Sequence, residues 1–197
     1  MERPVRLIFV GRWIRGKVLR GYCTLSQSFK DEMWCTRLGW RRQKAKCRGL
    51  ANTLGITHQV VFHGWQSRTS LVPLYARAHL IVLPSSSSEG WPKVLSEAMA
   101  FGVVPVASNV SSIPQYLQKF GVGKTCDPED IKAFAEAIRW YSGSRSLEKE
   151  AKRGVDAADA FSYAHYLKAI GDLLNVQKAD GRELLNTTRS NIEAGIL

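Results

Sequence analysis

Short apolar runs rich in β-branched residues recur along the chain, and helical patterning follows most of them. Residues 5–10, Val-Arg-Leu-Ile-Phe-Val, read as a first strand ended by Gly11. Val60-Val61-Phe62, closed by His63-Gly64, reads as another. Leu71, Leu74, Tyr75 and Ala78 share one face of a helix predicted over 71–78 and belong to the core. Leu80 to Leu83 form the next strand, stopped by Pro84. A helix is predicted over 92–101, because Pro92 suits a first turn and Gly102 suits the position past the end. Residues 103–107 form a strand whose Pro105 points to an edge or to a strand start. Residues 121–125 read as a short strand, and Asp127-Pro128-Glu129-Asp130 caps a helix that runs to about Tyr141. One or two more helices fit residues 145–176, and 177–197 form a polar, weakly patterned tail. Alternation of this kind predicts an α/β domain over residues 1–176, with a parallel sheet carrying helices on both faces.

Residues 18–49 break the pattern. Neither a period of two nor a period of 3.6 holds there for long. A doubly wound sheet needs a strand between Gly11 and the helix near Leu50, and the one candidate, around Met33 to Leu38, is poorly patterned. Three of the four cysteines (Cys23, Cys35, Cys47) fall in this stretch. It is either a divergent basic insertion or a segment read out of frame. The abrupt change at both ends favours the second.

Charge sharpens that contrast. The net charge is +11, and residues 12–48 hold most of the excess, opposed only by Asp31 and Glu32. Such a stretch could touch anionic lipid, but it lacks helical amphipathicity and any nucleic-acid motif, so no specific nucleic acid is expected as a partner. The cysteines show no C-x-x-C spacing and read as reduced thiols. No His/Asp cluster argues for a metal. Met1-Glu2-Arg3-Pro4 leads straight into the first strand without a secretory pattern. A cytoplasmic location is expected, with peripheral contact at the inner membrane face.

The densest chemical signal lies between Leu83 and Ser108. A strand ends, a small-residue loop (Ser85 to Ser88) follows, Glu89 adds a carboxylate, and a helix begins at Pro92. In parallel sheets the ligand sits at the carboxyl ends of the strands. Free N–H groups at a helix start favour a phosphate there. Glu97 stands early in the same helix, and an ionised carboxylate accepts from two neighbouring hydroxyls, as a ribose or sugar offers. The same pattern also describes two ordinary surface glutamates beside a helix N-terminus.

The segment Glu89-Gly90-Trp91-Pro92-Lys93-Val94-Leu95-Ser96-Glu97-Ala98-Met99-Ala100-Phe101-Gly102 resembles the donor-site signature of family-4-type glycosyltransferases with the GT-B fold. The likeness continues outward in order. Phe9-Val10-Gly11-Arg12 resembles the opening strand and turn of that fold's second, Rossmann-like half. Val60 to Trp65 and Leu74 to Ser85 resemble the strands and helix that follow, and Phe161-Ser162-Tyr163 resembles a late turn.

The resemblance implies a donor site for a nucleotide-diphosphate sugar, with no separate cofactor and no metal. Glu97 would bind ribose hydroxyls and Glu89 the donor sugar. Gly90, Trp91 and Pro92 would line the loop, with Gly11, Lys93 and Val94 in the same binding set. Arg12 and Lys17 would neutralise the diphosphate as its bond to the sugar breaks with retention of configuration. Val18 stands where the family usually has glycine after the lysine. The acceptor-binding half of the family has no counterpart in these residues. The implied enzyme is therefore a glycosyltransferase whose chain alone is weakly active or inactive. Its acceptor would be a glycan or a lipid-linked sugar, and its acceptor domain could be a separate chain. The alternatives are a non-catalytic nucleotide-sugar-binding module and a basic surface-binding protein.

Overall fold

The computed structural model describes residues 5–11, 33–36, 41–85 and 90–173. The chain divides into two compact units, residues 1–158 and 159–197. The first holds a six-stranded sheet, parallel throughout, built from β1 (Leu7–Val10), β2 (Met33–Thr36), β3 (Val60–Gly64), β4 (Leu80–Leu83), β5 (Val104–Ser108) and β6 (Lys124–Cys126). The spatial order is β3-β2-β1-β4-β5-β6. Strand order thus runs one way from β1 and the other way from β4, the doubly wound arrangement.

The strands β1, β4 and β5 are continuous apolar runs because they are buried on both faces. Leu7, Phe9, Leu80, Val82, Val104 and Val106 point into one cluster with Ala51 of α1 (Arg41–Thr53) and with Phe134, Ile138 and Tyr141 of α5 (Ile131–Gly143). The alternate positions Ile8, Val10, Ile81 and Ala107 are equally buried. Also buried are Leu71 and Tyr75 of α2 (Arg68–Tyr75) and Leu95, Ala98 and Met99 of α3 (Lys93–Met99). Helix α3 packs against β5 and against α6 (Ser146–Ala158). Each fully buried Leu or Ile contributes about 1.5–3 kcal/mol of apolar transfer. Cys126 is a free thiol in the first cluster, and burial, then Asp130, pushes its pKa up to about 11, so it stays an inert thiol.

The second unit contains a 3-10 turn at Asp159–Phe161 and α7 (Tyr163–Leu173). No helix among the described residues is long and apolar enough to cross a membrane.

The structure corrects the pattern in places. Met33–Thr36, poorly patterned by sequence, pairs with β1 on one side and β3 on the other. The remainder of the anomalous stretch, 12–32 and 37–40, lies outside the described residues, as does the tail 177–197. Helix α4 (Ile113–Phe120) was not expected from the sequence. Pro92 caps α3 rather than occupying its first turn. Pro105 is not on an edge: β5 lies between β4 and β6.

Candidate functional site

The reversal of strand order between β1 and β4 leaves a crevice at the carboxyl ends of these two neighbours, whose registered pairs are Leu7–Leu80 and Ile8–Ile81. Gly11 lies where β1 enters that crevice, and a Cβ there would stand 3.3 Å from the Phe9 ring. Glycine therefore suits the bend. Beside it, β4 runs out through Pro84 and Ser85, and Gly90 to Pro92 lead into α3.

Pro92 is the N-cap of α3, with extended backbone (φ −71°, ψ 114°) and no capping side chain. The leading N–H groups of Lys93 and Val94 thus have no acceptor within the helix. Trp91 meets Tyr116 of α4 edge-on, ring centres 5.2 Å apart, and Tyr116 stacks on Phe120 at 6.3 Å. This aromatic row pins the start of α3 to α4.

Glu97 lies one turn into α3 and its side chain is 28% exposed. Its Oε1 accepts from Arg68 Nη2 at 3.1 Å. Arg68 opens α2, whose N-cap Ser67 accepts from the Ser70 N–H. At the other end of α2, the Tyr75 hydroxyl is buried without a partner at hydrogen-bond geometry among the described residues. Burial, then the charge of Glu97, holds the Tyr75 pKa above its ordinary value, so the phenol is neutral.

Of the residues singled out by sequence, Gly11, Gly90, Trp91, Pro92, Lys93, Val94 and Glu97 fall at or next to this crevice by topology. Arg12, Lys17 and Glu89 lie outside the described residues. Sequence reasoning missed Arg68 and assigned Tyr75 to the core alone. The spacing of Arg68, Leu71 and Tyr75 on one helical face was the available signal. Among the described residues no group of three or more His, Cys, Asp or Glu converges as metal ligands would. A cavity of about 330 Å³ lies at the amino ends of the strands, lined by Val5, His79, Gly102, Ser142 and Glu148, and so faces away from the crevice.

The family model for glycosyl transferases group 1 matches residues 2–158. The chain is 34% identical over 125 residues to a D-inositol 3-phosphate glycosyltransferase of Mycolicibacterium smegmatis, a match covering 61% of this chain and 27% of that protein. Among solved structures, Anabaena HepE in complex with UDP and glucose superposes with a TM-score of 0.73 at 15% identity, over 89% of this chain and 49% of that one. The C-terminal domain of a glycosyl transferase group 1 family protein, LpcC of Francisella tularensis, superposes with a TM-score of 0.67 at 18% identity, over 80% of this chain and 87% of that one. The match spans less than half the length of the curated relatives, and the fold is that of one half of a GT-B glycosyltransferase.

Proposed function

Because the chain belongs to the glycosyl transferases group 1 family, we propose that its first unit is the donor half of a retaining glycosyltransferase and holds a nucleotide-diphosphate sugar in the crevice between β1 and β4. The observation that carries this is the placement of Gly11 and the Gly90–Glu97 segment on adjoining strand ends at the reversal of strand order. Glu97 accepts the ribose hydroxyls. The N–H groups of Lys93 and Val94, with Gly90, Trp91 and Pro92 shaping the loop, face the diphosphate. Glu89 contacts the donor sugar.

Transfer breaks the bond between the sugar's anomeric carbon and the diphosphate oxygen. Negative charge then grows on the leaving diphosphate. Arg12 and Lys17 follow the end of β1 in sequence, and their role is to stabilise that charge. A new bond forms with retention between the anomeric carbon and the oxygen of a hydroxyl on a glycan or lipid-linked acceptor, and the hydroxyl proton passes to the departing diphosphate. Transfer needs a cleft closed against water, which this unit completes with an acceptor-binding half. The complex of HepE with UDP and glucose supports the donor assignment by analogy of fold.

Calorimetric titration with UDP, GDP and ADP tests the reading. One of them binds saturably, and Glu97→Ala weakens it by about tenfold or more, the loss of a charge-assisted hydrogen-bond pair. Absence of binding to all three, or an affinity unchanged by Glu97→Ala, overturns it.

A further inference from the structure

Helix α2 presents one stripe toward Glu97. Arg68 and Tyr75 stand seven residues apart, two helical turns, with Leu71 between them on the same face. Leu71 and Tyr75 are buried, whereas the Arg68 side chain is 86% exposed. The stripe thus runs from solvent to core. At its outer end Arg68 bonds Glu97 through Oε1, and a carboxylate bonded at one oxygen keeps acceptor capacity on the other. At its inner end the Tyr75 ring stacks on Phe101 at 5.9 Å and 17° between planes, which fixes the direction of its hydroxyl.

We propose that Arg68 and Tyr75 are positioning residues for Glu97, holding its carboxylate from the solvent side and the core side in the orientation that accepts ribose hydroxyls. This rests on the donor-site reading above. The Tyr75 hydroxyl, buried and without a hydrogen-bond partner among the described residues, donates to Glu97 once a ligand draws the carboxylate into place. Burial keeps the Tyr75 phenol neutral, so it acts toward Glu97 only as a donor. The Arg68 pair has no need to serve the fold. An ion pair with so exposed an arginine adds little to stability, and helix α2 keeps its Ser67 cap without it. Binding and folding are therefore separable at this position.

The test titrates UDP, GDP and ADP, and then the 2′,3′-dideoxy form of the one that binds, into the full chain and its Arg68→Ala, Arg68→Lys and Tyr75→Phe variants. Arg68→Ala and Tyr75→Phe each weaken the ribose-bearing diphosphate by about 3- to 10-fold, one hydrogen bond's worth. Neither changes affinity for the dideoxy form, whose missing hydroxyls have no use for Glu97. Arg68→Lys recovers part of the loss. Equal losses for both forms, or no loss for either, overturn the positioning role while leaving the donor site standing. A wild-type chain that binds none of the three diphosphates overturns both.

Discussion

Glu150 accepts the hydroxyl of Tyr141 at 2.6 Å, and the same oxygen, Oε2, accepts the Gly123 N–H at 2.8 Å. Glu150 is 8% exposed. One carboxylate on α6 therefore ties together α5 and the turn leading into β6. Glu150→Ala strands a buried phenol and a backbone N–H, and should cost about 3 kcal/mol of unfolding free energy. Urea denaturation measures it, and a loss under about 1 kcal/mol would mean that water replaces the carboxylate. Burial, then the Glu150 hydrogen bond, raises the Tyr141 pKa. A raised folded pKa means that this contribution is intact below the unfolded value of about 10 and is lost as pH rises beyond it. Tyr141→Phe should remove that alkaline loss.

Two neighbouring glycines should respond unequally to alanine. Gly121 and Gly123 both have positive φ, +60° and +79°. A Cβ at Gly121 would first meet the far end of the Arg153 side chain, at 3.5 Å. At Gly123 it would lie 2.4 Å from the Pro105 carbonyl oxygen. Gly121→Ala should cost about 1 kcal/mol from backbone conformation alone. Gly123→Ala should cost about 3 kcal/mol or more, since β5 must move as well. Thermal melts of the two variants check the order, and equal shifts would show that β5 yields freely.

Ser108 closes β5 fully buried, and its hydroxyl has no hydrogen-bond partner among the described residues. Removing an unsatisfied hydroxyl relieves its desolvation cost. Ser108→Ala should therefore be neutral or stabilise the chain by about 1 kcal/mol. A clear destabilisation in urea would instead reveal an ordered water bonded to that hydroxyl.

The sequence exposed most clearly what local pattern controls. β1, β4 and β5 are buried on both faces, so they read as continuous apolar runs. The Gly90–Glu97 segment was legible because a strand end, a loop and a helix start follow one another within a few residues. Met33–Thr36 was obscure because its place is set by pairing with β1 and β3, which local pattern does not contain. Helix α4 was missed because it is only eight residues long and carries Pro114, which lies in its first turn, where a missing N–H costs nothing. Of the two readings of Pro105, the strand start holds and the edge does not: β5 begins at Val104 between β4 and β6, and the β6 ladder begins only at Val106. Arg68 and Glu97 are 29 residues apart, and only the fold brings them together.

Acid should weaken the joint between β1 and β4. The Arg6 N–H donates to His79 Nδ1 at 2.9 Å, and the His79 N–H donates to the Arg6 carbonyl at 2.8 Å. An accepting Nδ1 places the proton of the neutral ring on Nε2, and a second proton on Nδ1 would break the joint. Burial, then the Arg6 charge, lowers the His79 pKa from 6.5. The folded chain consequently binds fewer protons than the unfolded chain just below that value. The contribution is complete above pH 6.5 or so and is lost as pH falls through the folded pKa. His63 is shifted the same way, by burial and then Arg77, so it is a second source of acid loss among the described residues. His79→Asn separates them, because the amide oxygen can accept the Arg6 N–H without titrating. Urea midpoints at pH 7.5 and 5 should fall further for the wild type than for His79→Asn. Equal falls would place the acid sensitivity elsewhere than His79 and leave it a structural acceptor with no titration of consequence.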